Sequence, residues 1–186
     1  MSTSSQTQYT GLLSPFLRDR RVAAAAPHLS GRVLDVGCAD GPLANLVPAD
    51  RYVGVDVAPA ALEAAREAHP DHTFMLLDEL GADERFDTIA SLAVIEHIPQ
   101  PVEWLSQLAA HLAEGGSIVL TTPHRTWEPL HDIAVKLRLA SHEASDEHET
   151  TFNEETLREV VEAAGLQLTA YSRFLLKVNQ LAICRR

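Results

Sequence analysis

The chain has 186 residues, 46% hydrophobic and 22% charged, which suits one globular domain and excludes disordered and fibrous classes. A formal net charge of −11 argues against nucleic acid or an anionic membrane surface as a partner. The apolar runs are too short to span a membrane, the first residues do not form a secretory signal, and two cysteines make no disulfide or metal framework, so we expect a cytoplasmic protein.

Residues 1–30 are expected to form an N-terminal cap segment. The first ten residues are polar, and apolar residues then recur at helical spacing from Leu12 to Ala26. This spacing predicts a helix that packs on the core.

A strand followed by a glycine-rich turn comes next, between Arg32 and Leu46. The apolar run Val33–Val36 predicts a short buried strand, and Pro42 suits the first position of the helix that follows. Such a turn leaves backbone N–H groups aimed at one ligand, and Asp35 lies where open α/β sheets bind ligands. Backbone donors beside a carboxylate suit a zwitterion better than a bare phosphate.

The run Asp35-Val36-Gly37-Cys38-Ala39-Asp40-Gly41 resembles motif I, D-x-G-x-G-x-G, of the class I S-adenosylmethionine-dependent methyltransferases, with Ala39 at the second glycine. The resemblance implies that the methionine end of the cofactor is held by Asp35, Gly37, Cys38, Ala39 and Gly41. It also implies that the first helix covers the cofactor through Tyr9 or Phe16, unless these side chains only pack. One alternative is a dinucleotide-binding fingerprint, which requires glycine at Pro42; the other is an ordinary strand-turn-helix.

The second and third predicted strands also end in acids. Asp56 closes the apolar run 51–57, on a strand neighbouring that of Asp35, and one carboxylate there can accept from both ribose hydroxyls. The alternative is that Asp56 caps the predicted helix Pro59–Ala68. The resemblance implies that Val57 lies against the adenine, and that Asp78, or failing that Glu79, meets the adenine amino group after strand 72–77.

The fourth strand begins at Phe86 and is expected to end near Ser91. The segment 86–99 resembles the family's motif IV region, and its ending, Val-Ile-Glu-His-Ile-Pro, is similar to that of ubiquinone-biosynthesis-type O-methyltransferases. The resemblance implies that backbone groups from Ser91 to Ala93 contact the cofactor and that Glu96 and His97 lie near the substrate. His97 is a candidate base because histidine titrates near neutrality; alternatively, it only orders the loop.

A helix from Pro101 to Ala113, ended by Gly115 and Gly116, precedes a fifth strand, Ser117–Pro123. Residues 124–152 are then expected to form an acceptor-side insertion. Here a histidine base, His124 or His148, competes with a divalent metal site and with a solvated, charged surface segment. The metal ligands would be His131, Asp132, Asp146 and His148.

Asn153 is expected to cap a helix that Gly165 ends, and residues 166–174 and 178–184 then predict a strand hairpin. We therefore expect one domain over 1–186. Its fold class is α/β, a Rossmann-like doubly wound seven-stranded sheet, mostly parallel with an antiparallel C-terminal edge strand.

The resemblance implies an S-adenosylmethionine-dependent methyltransferase, and we expect O-methylation of a small hydroxylated or sugar metabolite or a glycan. N- or C-methylation, cofactor binding without turnover, and nicotinamide-dependent oxidoreduction are the alternatives. Because the chain is short and shows no lid domain, a homodimer is one way to complete the acceptor pocket.

Overall fold

The computed structural model describes residues 14–125 and 150–186, whose strands form one seven-stranded sheet. The strands are β1 (Val33–Val36), β2 (Tyr52–Asp56), β3 (Thr73–Leu76), β4 (Phe86–Leu92), β5 (Leu112–Pro123), β6 (Gln167–Phe174) and β7 (Asn179–Arg185). The helices are α1 (Ser14–Ala25), α2 (Pro59–Ala68), α3 (Pro101–Ala110) and α4 (Glu154–Ala163). Within these two ranges, no helix combines the length and the apolar character that crossing a membrane requires.

The strand order is β3-β2-β1-β4-β5-β7-β6, with β1 to β5 parallel and β7 antiparallel to both neighbours. The predicted fold class is therefore confirmed. The predicted hairpin forms one edge of the sheet, and the reversed strand is its inner member while β6 is outermost. The burial pattern explains this order, since β7 is buried from Asn179 to Cys184 whereas Leu168 is the one buried residue of β6.

Helices cover both faces of the sheet, as the doubly wound fold requires. On one face Leu34 and Ile89 pack in a cluster with Leu105 of α3 and Leu157 of α4. On the other face, two smaller clusters join the sheet to α1, α2 and the turns after β1. The strand order changes direction between β1 and β4, which opens a crevice at their carboxyl ends.

The helix predicted to end at Ala113 ends at Ala110, and β5 begins at Leu112. The backbone N–H of Phe86 donates to the His111 carbonyl (2.9 Å), so pairing with β4 starts there. Gly116 lies inside the strand, where an added Cβ would sit 3.1 Å from the carbonyl oxygens of Phe86 and Asp87. Gly116 therefore lets the backbones of β4 and β5 approach each other closely, and it does not end the helix.

Two predicted helix starts differ in outcome. Asn153 caps α4 as predicted, since its Oδ1 accepts from the Thr156 N–H (2.8 Å), and Phe152 and Leu157 are buried in one cluster. Pro42 stands at the predicted first helical position, but only a short 3-10 turn, Pro42–Asn45, follows. Motif I therefore feeds a single tight turn rather than a full helix.

Candidate functional site

The glycine-rich turn after β1 folds back on the end of β2. The N–H groups of Gly37 and Cys38 donate to the Val55 carbonyl (2.9 and 3.1 Å), and that of Ala39 donates to Asp56 Oδ2 (2.9 Å). Gly41 donates to the Cys38 carbonyl (2.8 Å). The expectation that the N–H groups of the turn are aimed at a ligand is therefore wrong for these four, because the turn uses them to fix its own shape.

Three residues of this turn have a positive φ: Gly37 (+73°), Ala39 (+48°) and Gly41 (+79°). An alanine in the left-handed region costs roughly 1–2 kcal/mol, so the Asp56 hydrogen bond helps to hold Ala39 there. The turn is thus a preset backbone shape held by a carboxylate from the neighbouring strand.

Asp56 joins the turn to the start of α2. Its Oδ2 accepts from Ala39, and its Oδ1 accepts from the Ala58 N–H (2.9 Å), one residue before the helix. The N-cap residue of α2 is Ala58, so Asp56 is not itself the cap, but its carboxylate accepts from the N–H of that residue. Each carboxylate oxygen has a second lone pair, which leaves Asp56 able to accept from a ligand as well.

An apolar cavity of about 430 Å³ lies beside Asp56, lined by Val57, Pro59, Leu76, Leu77 and Asp78. Val57 is 76% exposed, which is unusual for a valine and leaves an apolar surface open to a ligand. Val57 and Asp78 thus line one cavity, with Asp56 next to Val57 in the chain, and their role in binding a cofactor stays a prediction. Glu79 folds back, because its Oε2 accepts from the Leu76 N–H (2.9 Å).

Three lining residues, Pro59, Leu76 and Leu77, were not among the predicted site residues. Their only signal in the sequence is that each lies within a few residues of a strand end carrying an acid. The cavity suits a flat apolar group with a polar edge, since its walls are apolar and Asp78 supplies one carboxylate.

Asp35 lies beneath the turn, inside β1, and is only 3% exposed. The Tyr52 hydroxyl donates to Asp35 Oδ2 (2.7 Å). The pKa of Asp35 is raised to about 7. Burial is the largest cause; the charge of Asp56 also raises the pKa, and the hydrogen bond from Tyr52 lowers it. Asp35 is therefore a buried group that titrates near neutrality.

Cys38 is buried within the same turn. Burial raises the pKa of its thiol, and the charge of Asp35 raises it further. The side chain therefore stays a neutral thiol and has no nucleophilic character. Only its backbone can serve as the predicted cofactor contact.

An ion pair connects α1 to the turn. Arg18 Nη1 lies 2.9 Å from both carboxylate oxygens of Asp40, although both side chains are about half exposed. Neither residue was predicted to belong to the site. Phe16 is 49% exposed and lies under the Arg20 guanidinium, 5.7 Å from its ring centre, while Tyr9 lies outside the described residues.

The loop after β4 sits directly on the glycine turn. A Cβ added to Gly37 would lie 2.5 Å from Val94 Cγ2, so this glycine admits the Val94 side chain. Ala93 has φ +61° and its N–H donates to the Thr121 carbonyl (2.8 Å), which ties the loop to β5. Ser91, at the end of β4, is 1% exposed and its hydroxyl has no hydrogen-bond partner.

Glu96, two residues beyond Val94, is 4% exposed. Burial raises the pKa of its carboxyl, whereas the charge of Arg21 on α1 lowers it. His97 follows on the same short turn, and its side chain is exposed. The short turn Ile95–His97 therefore carries one buried acid and one exposed histidine, close to the glycine-rich turn after β1.

His124 is built into the junction between β5 and β7. Its N–H donates to the Val178 carbonyl (2.8 Å), and Arg173 Nη2 donates to its Nδ1 (3.1 Å). Burial, together with the charge of Arg173, lowers the pKa of His124. Because Nδ1 already accepts from a cation, that nitrogen is not available to take up a proton.

The other predicted residues of the insertion, His131, Asp132, Asp146 and His148, lie outside the described residues. In residues 14–125 and 150–186, no group of three or more His, Cys, Asp or Glu side chains is arranged to hold a metal.

Comparison with known families and sequences identifies relatives of the chain. A family model described as a methyltransferase domain matches residues 9–171. The ubiquinone biosynthesis O-methyltransferase of Cereibacter sphaeroides (strain ATCC 17025) is 34% identical over 119 residues, 58% of this chain and 47% of that protein. The protein of the same name from Xanthomonas campestris (strain B100) is 30% identical over 115 residues, 56% and 48% of the two chains. The chain thus spans about half the length of these curated relatives.

Solved structures share the fold. The magnesium protoporphyrin IX methyltransferase of Synechocystis PCC 6803, solved with bound SAH, aligns with a TM-score of 0.70 and 19% identity, covering 92% of this chain and 84% of that one. A putative methyltransferase in complex with the Haloferax volcanii Trm112 methyltransferase activator aligns with a TM-score of 0.72 and 17% identity, covering 92% of both chains. At these identities the likeness concerns the fold.

Proposed function

The chain belongs to the class I S-adenosylmethionine-dependent methyltransferases, and from this premise we propose that it binds S-adenosylmethionine and methylates a hydroxyl group of a small hydroxylated or sugar metabolite or a glycan. One observation carries the cofactor assignment: Val57 and Asp78 line one apolar cavity, and Asp56, the residue before Val57, accepts a hydrogen bond from the glycine turn. This cavity lies at the carboxyl ends of β2 and β3, the edge at which open α/β sheets bind their ligands.

The residues present fit this cofactor. Asp56 keeps lone pairs for the ribose hydroxyls, while Val57 offers an apolar surface and Asp78 an acceptor to the adenine. The turn would face the methionine end, with Asp35 buried beneath it. The positive charge of a sulfonium nucleoside suits the carboxylates of Asp56 and Asp78 better than a pyrophosphate would.

When bound, the cofactor would supply an electrophilic methyl group on a sulfonium. The contribution of the chain is mainly alignment, because holding two reactants in line removes most of the entropic barrier. The chain also has to accept the proton of the acceptor hydroxyl. Among the predicted bases, His97 is exposed and follows the β4 loop that packs on the glycine-rich turn. The Nδ1 of His124, in contrast, accepts a hydrogen bond from Arg173. We therefore propose His97 as the proton acceptor, with His148 the competing residue.

Hydroxyl acceptors are favoured because the sequence relatives are named O-methyltransferases. Methylation of nitrogen or carbon is the second candidate, and cofactor binding without turnover the third. These three cases differ in the product of one turnover.

The test has two steps. Calorimetric titration should show S-adenosylhomocysteine binding and no binding of a nicotinamide dinucleotide, and the reverse preference would refute the cofactor assignment. A single-turnover assay with isotopically labelled methyl groups and a panel of phenols, sugars and acids should then show a mass increase of one methyl group on a hydroxyl. A labelled nitrogen or carbon would refute O-methylation, and unlabelled acceptors despite cofactor binding would favour a binding-only protein. Activity that is unchanged in excess chelator would exclude the metal site.

A further inference from the structure

A buried hydrogen bond joins the first two strands beneath the glycine turn. The Tyr52 hydroxyl donates to Asp35 Oδ2 (2.7 Å), and the two residues are 1% and 3% exposed. They do not lie opposite each other in the sheet, because Asp35 pairs in register with Gly54 and Tyr52 pairs with Val33. The tyrosine therefore reaches along the sheet, past Gly54, to the carboxyl.

The surroundings of Tyr52 fix its ring in this position. A Cβ added to Gly54 would lie 2.9 Å from the Tyr52 hydroxyl oxygen and 2.6 Å from the Phe74 ring, so this glycine provides the space that the tyrosine uses. The rings of His72 and Phe74 pack at steep angles against that of Tyr52, with centroids 5.3 and 5.5 Å away. The hydroxyl is thus a preset donor that fixes the orientation of the Asp35 carboxyl.

The charges around Asp35 favour its protonated form. In the described part of the chain, the group whose charge acts on it is Asp56, another acid, and no cation does so. In the turn over Asp35, the exposed Asp40 is paired with Arg18 of α1. Burial and the charge of Asp56 raise the pKa of Asp35, whereas the hydrogen bond from Tyr52 lowers it. A positive charge close by is what would stabilise the carboxylate.

Other groups face the same region. β4 places the uncharged Ala90 opposite Asp35, and the buried thiol of Cys38 in the turn stays neutral. His72 contacts the tyrosine ring, and His69 in turn contacts His72, with ring centroids 5.6 Å apart. Because histidines titrate near neutrality, a pH effect of these two has to be separated experimentally from one of Asp35.

We propose that Tyr52 is a positioning residue, which holds the Asp35 carboxyl in place so that it ionises when the positively charged methionine end of the cofactor binds. The proton of Asp35 passes to the solvent, and the carboxylate keeps the hydrogen bond from Tyr52. Tyr52 acts through Asp35, since it is buried beneath the turn. This inference rests on the proposed function, which places the methionine end on the turn that covers Asp35.

Calorimetric titration with S-adenosylhomocysteine, which carries the same ammonium group, tests this role. Because binding releases the proton of Asp35, the affinity of the wild type should rise about ten-fold between about pH 6 and pH 8.5, and should level off above about pH 7. Titrations in two buffers of different ionisation enthalpy count the protons released. We expect about one proton at about pH 6 and almost none at about pH 8.5.

Tyr52→Phe keeps the ring and removes the donor. Because the hydrogen bond lowers the pKa of Asp35, its loss should move the pH profile of binding by about one pH unit to higher pH. The variant should then bind about ten-fold more weakly than the wild type at about pH 6, and within about two-fold of it at about pH 8.5. A tyrosine with only a structural role would weaken binding equally at every pH. The matched control is Tyr171→Phe, which removes a hydrogen bond to Gln180 (3.0 Å) and should leave the profile unchanged.

Asp35→Asn identifies the titrating group, since it should bind weakly, without pH dependence and without proton release. A pH dependence that persists in this variant would assign the titration to His69, His72 or another group and overturn the inference. The inference is also overturned if the wild-type affinity is constant over this range, or if Tyr52→Phe leaves it unchanged or weakens it equally at every pH. If Tyr52→Phe does not fold, the wild-type proton count and Asp35→Asn decide. A wild type that binds no S-adenosylhomocysteine at any pH would instead refute the proposed function.

Discussion

The buried carboxyl of Asp35 makes the stability of this protein depend on pH in a way that one substitution should remove. Asp35 is 3% exposed and its pKa is raised by burial from 3.8 to about 7. Asparagine has nearly the same shape, can still accept from the Tyr52 hydroxyl and cannot ionise. Asp35→Asn therefore removes the titration while keeping the packing.

The sign follows from the protons bound in each state. Between about pH 4 and pH 7 the unfolded chain has Asp35 ionised while the folded chain keeps it protonated, so stability falls as pH rises. A pKa difference of about three units corresponds to about 4 kcal/mol. Relative to the wild type, Asp35→Asn should thus gain on the order of 4 kcal/mol between pH 4 and pH 8.

Urea unfolding between about pH 4 and pH 8 measures this difference. The control is Asp71→Asn, an exposed acid, which should follow the wild-type profile. Parallel profiles for the wild type and Asp35→Asn would show that Asp35 does not titrate in this range, and the account of its burial would be wrong.

Four other substitutions, with one glycine control, test the site. Asp56→Ala removes the acceptor of two backbone N–H groups and should weaken S-adenosylhomocysteine binding by about 1–3 kcal/mol in calorimetry; unchanged affinity would exclude Asp56 from the site. In Gly37→Ala the new Cβ would lie 2.5 Å from Val94, so this variant should lose about 1–3 kcal/mol more stability in urea unfolding than Gly115→Ala. Gly115 is the control because it also has a positive φ but has open space around it; equal losses would contradict this packing. His97→Ala should lower turnover at unchanged cofactor affinity if it accepts the proton, whereas His124→Ala should mainly lower the melting temperature; full activity of the first variant would refute that role.

The sequence was sufficient to place the acids of the site because strand ends are readable from apolar runs. Asp56 and Asp78 each follow such a run, and parallel strands bring their carboxyl ends to one edge. The sequence was not sufficient to predict which groups accept hydrogen bonds from the N–H groups of the turn after β1. Their acceptors are the Val55 carbonyl and Asp56, which approach only when β2 pairs with β1, so the resemblance alone gave no warning that these N–H groups are used internally.

The burial of Glu96 was likewise not predictable. The resemblance implies that Glu96 lies near the substrate, but a glutamate beside a histidine in a turn is usually exposed. Glu96 is only 4% exposed, and its carbonyl accepts from the Thr150 N–H (2.9 Å), a contact between segments that are far apart in the sequence.

The position of β7 has a consequence for how the chain matures. Among the described strands β6 pairs only with β7, so it has no strand partner until β7 has been synthesised. The first five strands are synthesised before β7. Until β7 pairs with β5, the unpaired edge of β5 is available to strands of other molecules. Newly made chains should accordingly be most prone to aggregate just before their last strand inserts, and a chaperone that shields the border of β5 would be most useful at that moment.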